Sequence, residues 1–287
     1  MKLKLRLAAI TDEFSPDLER ALNSMVDIGM TGAELRTVGG RNMVDFGDQE
    51  LEGIRKLIDS KGLEVMSLSS PLLKCVLPGS PAIDSRFQQD VFGAVHTFED
   101  QPRLTARAFH VAHVMGARIV RVFTFWRTVE PEKCFDGIVT ALKDLADKAA
   151  KEDLIIGLEN EHACNVGTAS EAARVLNALD HPNLQLVWDP ANCYAAGETP
   201  YPDGYRALDP KRIAHVHAKD CFLRNHQPVW GPVGECELDW RGQIAQLLAD
   251  GYRGWMSLET HWPGTAGGDK HMASVICGHN LKMLLAA

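Results

Sequence analysis

Residues 154–159 read Leu-Ile-Ile-Gly-Leu-Glu, a short apolar run that ends on a carboxylate. A run this short and this apolar predicts a strand buried on both faces of a parallel sheet, and the C-terminal tip of such a strand is where chemistry is placed. Three more runs repeat the pattern: Leu-Gln-Leu-Val-Trp-Asp over 184–189, Arg-Ile-Ala-His-Val-His over 212–217 and Gly-Trp-Met-Ser-Leu-Glu over 254–259. Their last residues, Glu159, Asp189, His217 and Glu259, form a mixed oxygen and nitrogen donor set. Such a set suits Mn, Mg, Co or Zn and disfavours a metal that wants thiolates.

Upstream of residue 154 the chain repeats one unit about every 25 to 40 residues, an apolar run, a polar loop and an amphipathic helix, without the fixed period of a true repeat. Strand one spans 3–10, and a helix follows with Ser15 as expected N-cap, Pro16 at its first position, an inward stripe of Leu18, Leu22, Met25 and Val26, and Gly29 at its end. Strand two covers 31–35 and brings Glu34 and Arg36 to its end, a helix from Asp48 stops at Gly62, and strand three is 63–68. Residues 69–103, with prolines at 71, 78, 81 and 102, read as a long loop over one end of the sheet. A helix over 104–115, strand four over 118–123, a helix over 132–152 and strand five to Glu159 follow. A helix from Ser170 to Leu179 leads to strand six, 202–208 is a short connector, and strand seven ends at His217. After a second irregular loop, 219–240, Asp239 caps a helix closed by Gly251, and strand eight runs from 254 to 259. Eight units in strict alternation predict an α/β fold, a single (β/α)8 TIM barrel over 1–287 with its active site at the C-terminal mouth. The competing open doubly wound sheet loses its dinucleotide-binding version, because no Gly-x-Gly-x-x-Gly turn follows strand one.

Bulk properties narrow the function classes. The chain has 287 residues, 45% hydrophobic and 24% charged, a common length for one barrel domain. Thirty Lys and Arg against 38 Asp and Glu give a formal charge of -8, so no broad positive field exists to hold nucleic acid or an anionic membrane surface. The N-terminal run lacks the pattern of a signal peptide, and no run approaches the roughly 18 apolar residues of a membrane span. Seven cysteines without a CxxC pair point to reduced thiols and a cytoplasmic location. A homo-oligomer is compatible with the pattern, with the long third loop as its surface.

The runs Gly-Leu-Glu159-Asn-Glu-His, Trp-Asp189-Pro-Ala-Asn, His215-Val-His217-Ala-Lys-Asp and Ser-Leu-Glu259 resemble the xylose-isomerase-like sugar phosphate isomerase/epimerase family, which includes ketose 3-epimerases, hydroxypyruvate isomerases and inosose dehydratases. The resemblance covers strand order through nearly the whole chain and is motif-specific from about residue 155 onward. It implies that Glu159, Asp189, His217 and Glu259 hold one divalent metal, that Glu159 and Glu259 double as acid and base, and that the second histidine, not His215, is the ligand. Multi-zinc relatives that cut abasic DNA need more histidines and a basic face, and this acidic chain has neither.

The chemistry gives such a set a use. Moving a proton at a carbon beside a carbonyl creates an enediolate, and a cation next to both oxygens stabilises the charge where it develops. The expected activity is a metal-dependent sugar isomerase or epimerase, and the alternative is a lyase that expels a leaving group from a keto-sugar or keto-cyclitol. His215, two residues before His217, faces the barrel interior. Substrate contacts are expected from His215, from Asn192, three residues after Asp189, from Glu161, from Arg224 as a forked donor, and from Trp126 as an aromatic wall. Lys219, Asp220, His226, Trp230 and Glu235 are further polar-ligand candidates in the loop after strand seven. Cys164 and Cys193 lie near the ligands in sequence but have no base beside them, so both are bystanders. Specificity is expected from loops 36–47, 69–103 and 219–240.

Overall fold

The computed structural model describes residues 3–87, 96–265 and 268–286. Eight parallel strands close into a barrel: β1 (Arg6–Ile10), β2 (Gly32–Leu35), β3 (Glu64–Ser69), β4 (Ile119–Val122), β5 (Ile155–Glu159), β6 (Leu184–Trp188), β7 (Ile213–Ala218) and β8 (Trp255–Leu258). Each strand pairs with its neighbours in sequence, and β1 pairs with both β2 and β8, so the sheet has no edge. One helix follows each strand: α1 (Leu18–Ile28), α2 (Asp48–Ser60), α3 (Gln101–Met115), α4 (Phe135–Ala150), α5 (Ala169–Ala178), α6 (Pro190–Ala195), α7 (Trp240–Ala249) and α8 (Lys270–Ala286). The expected (β/α)8 alternation is present, with α6 reduced to six residues and extended by short helical turns through Arg212.

The helices form where sequence and packing agree. In α1, Leu18, Leu22 and Met25 are buried at the three-and-four spacing, each contributing about 1.5–3 kcal/mol relative to exposure. Gly29 ends the helix at φ 93°, a left-handed conformation that glycine adopts without a Cβ penalty. The start differs from expectation. Ser15 Oγ accepts the Asp17 N–H at 3.1 Å, and the helix begins two residues later than expected, with Asp17 as the N-cap accepting from the Arg20 N–H at 3.1 Å.

The barrel floor is sealed by Ala8, Met66 and Trp255, with the Arg6 guanidinium stacked 3.6 Å from the Trp255 ring centroid. Gly157 keeps the wall closed above it, since a Cβ there would lie 2.8 Å from Val187 Cγ2 and 2.9 Å from Ile119 Cγ2. The upper half of the interior is polar: Glu34, Arg36, Arg121, Glu159, Asp189, His215, His217 and Glu259 are all buried there. Side chains alternate across a strand, so residues two apart on β7, such as His215 and His217, climb one inner face toward the mouth.

Two connections depart from the sequence reading. Residues 219–240 are not an irregular loop, because Asp220–Arg224 pairs antiparallel with Gln227–Gly231. The hairpin turns at Asn225 (φ 52°) and His226 (φ 62°), the left-handed pair that matches the twist of its strands. The expected loop 69–103 is shorter, with Ser69 inside β3 and 101–103 inside α3; its residues 88–95 lie outside those described. Among the described residues, no helix is long and apolar enough to cross a membrane. All seven cysteines are free.

Candidate active site

Strands β5, β6, β7 and β8 bring Glu159, Asp189, His217 and Glu259 to one point. Each offers one donor atom within 4.8 Å of the other three, and all four side chains are buried. Asp189 caps α6, its Oδ1 accepting the Asn192 N–H at 2.8 Å, which leaves Oδ2 turned into the barrel. His217 Nδ1 lies 3.2 Å from Glu159 Oε1, 3.2 Å from Glu259 Oε2 and 3.9 Å from Asp189 Oδ2.

Cations from neighbouring strands hold the carboxylates in place. Arg121 on β4 donates from Nη1 to Glu159 Oε2 at 2.6 Å. Arg36, just past β2, reaches Glu259 Oε1 at 3.2 Å, Glu13 Oε1 at 2.7 Å and Asp12 Oδ2 at 2.9 Å. Lys219, two residues past His217 on the same inward face, sits 2.9 Å from both Asp189 Oδ2 and Glu259 Oε2. Burial alone would raise the Glu259 carboxyl, but Lys219 and His217 outweigh it and hold it well below the usual carboxylate range. Glu159 is likewise lowered against its burial by His217 and Arg121. Asp189 goes the other way: burial, with Glu259 and Glu159 close by, pushes it up to about 6 despite Lys219.

The four donors fit a divalent metal on two grounds. They supply three carboxylates and one imidazole at mutual distances that a single ion can bridge. In addition, the buried Asp189 Oδ2 has no hydrogen bond within the protein, although Lys219 Nζ lies 2.9 Å away, so it is free to take a cation.

The other expected contacts divide. Asn192 joins the site, with Nδ2 3.3 Å from Glu159 Oε1 and 3.5 Å from Glu161 Oε2 and with Oδ1 2.9 Å from His162 Nδ1. Glu161 sits at the mouth, 2.8 Å from His162 Nδ1. His215 is inside the barrel but one layer below the quartet, its Nε2 3.3 Å from Glu34 Oε1 and 3.2 Å from His217 Nε2. Arg224 points away on the outer hairpin, half-exposed and paired with Glu237 at 3.0 Å. Trp126 is buried with Phe123, Ala163 and Cys164 and builds a wall of the core rather than a sugar platform. Trp230 lies beside Lys219 at the quartet instead, its ring centroid 4.9 Å from that of His261, 6.1 Å from that of His162 and 5.5 Å from Lys219 Nζ. Asp220 is spent on the fold, since its carboxylate accepts the N–H groups of Cys221, Gly234, Cys236 and Leu238. Glu235 pairs with Asn280, and His226 is the exposed hairpin tip. Burial pushes the Cys164 and Cys193 thiols up, as suits bystanders.

Nothing in the sequence pattern assigns a role to Glu34, Arg36 or Arg121, although their signal is present. Each is a charge within or just after an apolar strand run, at a spacing of two from an inward neighbour. A fully buried charge in such a place must be paired, so it points to a polar interior.

The sequence signature of one family, described as the xylose isomerase-like TIM barrel, matches residues 22–275. The chain belongs to that family. Among proteins similar to this xylose isomerase-like barrel is an inosose isomerase of Bacillus velezensis, 26% identical over 167 residues, which are 55% of this chain and 57% of that protein. The matched region thus spans little more than half of that relative. The solved structure of the IolI protein with a bound zinc atom aligns over 98% of both chains with a TM-score of 0.75 and 17% identity. The probable 3-DHS dehydratase AsbF of Bacillus anthracis aligns over 98% of both chains with a TM-score of 0.72 and 18% identity. At these identities the two structural likenesses establish the fold.

Proposed function

We propose that this chain is a divalent-metal-dependent enzyme that isomerises or epimerises a small ketose, sugar acid or cyclitol by moving a proton at a carbon beside a carbonyl. The observation that carries the reading is the convergence of Glu159, Asp189, His217 and Glu259 at the barrel mouth, with two ionised glutamates held from different sides by Arg121 and by Arg36 with Lys219. The isomerase name of the Bacillus velezensis relative and the zinc in the IolI structure agree with it.

A divalent cation held by the quartet would supply electrostatic stabilisation to the negative charge that develops on the substrate's adjacent oxygens. The chain's own residues do the rest. Glu259 Oε2 takes the proton from carbon, the C–H electron pair becomes the enediolate double bond, and Lys219 moves off that oxygen to a substrate oxygen. Returning the proton from Glu259 to the neighbouring carbon, while Lys219 gives a proton to the former carbonyl oxygen and takes one from the adjacent hydroxyl, completes an isomerisation. Epimerisation needs delivery to the opposite face, which Glu159 serves by passing on a proton taken from a substrate hydroxyl; the proton held on Glu259 then restores that hydroxyl through water. Asn192 and Glu161 orient hydroxyls, and Trp230 covers the mouth with an apolar face suited to a sugar ring.

A second reading has its own support. The Lys219 ammonium and His162, raised by Glu161 against its burial, are proton donors suited to a leaving hydroxide, and the AsbF structure carries a dehydratase name. Incubation with a panel of keto-sugars, sugar acids and keto-cyclitols in D2O, with Mg, Mn, Co or Zn, decides between them. Unchanged skeletal mass with one solvent deuterium incorporated is expected; product lacking the elements of water identifies the lyase and overturns the isomerase reading.

A further inference from the structure

Beneath the quartet, Glu34 on β2 occupies the barrel axis with no exposed surface. Its Oε1 accepts from Ser69 Oγ at 2.6 Å and its Oε2 from Ser257 Oγ at 2.6 Å, so hydroxyls of β3 and β8 fix the carboxylate in one plane. Both oxygens then lie 3.2 Å from His217 Nε2, while His217 Nδ1 faces Glu159, Glu259 and Asp189 on the other side. One imidazole therefore lies between two carboxylate groups, a single clamped one below and a cluster of three above. His215 Nε2 also reaches Glu34, at 3.3 Å, and does not enter the upper cluster.

A neutral imidazole has one donor and one acceptor nitrogen, and whichever nitrogen carries the hydrogen cannot bind a cation. The lower trio of Glu34, His215 and His217 also has metal-ligand residue types, but the Glu34 oxygens are already committed to two serine hydroxyls. We infer that Glu34 is a positioning residue that accepts the His217 Nε2–H, fixes that tautomer, and so presents the bare Nδ1 to a cation in the Glu159, Asp189 and Glu259 cluster. This inference rests on the metal reading above. A carboxylate behind a ligand histidine orients the ring and increases its basicity, and its loss typically weakens metal binding tenfold to a hundredfold. In Glu34→Gln the amide N–H2 can donate to Nε2, which favours the Nδ1–H tautomer and blocks the cation.

The test uses Zn2+ alone, titrated into the chelator-stripped full chain against a chromophoric competitor, with long-range 1H–15N spectra reporting the His217 tautomer in the zinc-loaded wild type. Expected are a protonated Nε2 with zinc-shifted Nδ1 in the wild type, and zinc affinity lower by about 10- to 100-fold in Glu34→Gln. Zinc bound at Nε2 overturns the inference, as does a folded Glu34→Gln with wild-type affinity. The wild-type spectrum decides the matter even when the variant fails to fold. A wild type that binds no zinc overturns the metal reading and this inference together, whereas unchanged affinity in the variant overturns only the latter.

Discussion

Lys219→Met is expected to destabilise the metal-free protein by about 3–5 kcal/mol, the usual cost of removing one partner from a buried ion pair. Lys219 is fully buried and is the ammonium that Asp189 Oδ2 and Glu259 Oε2 share at 2.9 Å. Methionine keeps much of the side-chain volume but leaves two carboxylates facing each other without that counter-charge. For a chain this long each kcal/mol shifts the melting midpoint by about 2–4 °C, so a loss of about 6–20 °C is expected in thermal unfolding with chelator present. Divalent cation should reverse the effect. A cation at about a thousand times its dissociation constant contributes about 4 kcal/mol to the folded state, enough to offset most of the loss. The variant should therefore gain more from saturating zinc than the wild type, in which Lys219 competes for the same oxygens. Equal melting with chelator, or an equal zinc increment in both proteins, would show that Lys219 does not stand in for a cation.

Glu259→Gln is expected to reduce turnover by about a hundredfold to ten-thousandfold, the range that general acid–base catalysis contributes. Glutamine keeps the shape, but its single carbonyl oxygen accepts from Lys219 or from Arg36 and not from both, so turnover is compared at saturating metal and the melting midpoint is measured beside kcat. Measured on a substrate that the wild type deuterates in D2O, the variant should lose exchange at carbon in parallel with product formation. Turnover within a few-fold of wild type would remove Glu259 as the base.

The parts of this molecule that were legible in its sequence are those in which one residue type and one period coincide. Apolar runs ending at Glu159, Asp189, His217 and Glu259 marked four strands and the donors at their tips, because a parallel strand buried on both faces has only its tip free for chemistry. What escaped depends on pairing across the barrel. Glu34, Arg36 and Arg121 lie in or just past strands, and only the closed barrel brings Glu34 onto His217, Arg36 onto Glu259 and Arg121 onto Glu159. The hairpin at 220–231 hid because Pro228 and four polar residues interrupt its alternation, although Asn225 is a residue that tolerates the left-handed turn. Arg224 looked like a ligand donor by its distance from His217 in sequence; the hairpin carries it outward to Glu237 instead. Trp126, expected as an aromatic wall, is packed into a buried cluster for the same reason, since which aromatic faces the mouth is set by loop geometry rather than by period.

The most direct measurement is anomalous diffraction from crystals of the stripped protein soaked in Mn2+ or Zn2+. One anomalous peak is expected per chain, about 2.0–2.3 Å from His217 Nδ1 and from one oxygen each of Glu159, Asp189 and Glu259. A peak among Glu34, His215 and His217, or no peak in the barrel at saturating metal, would contradict the account.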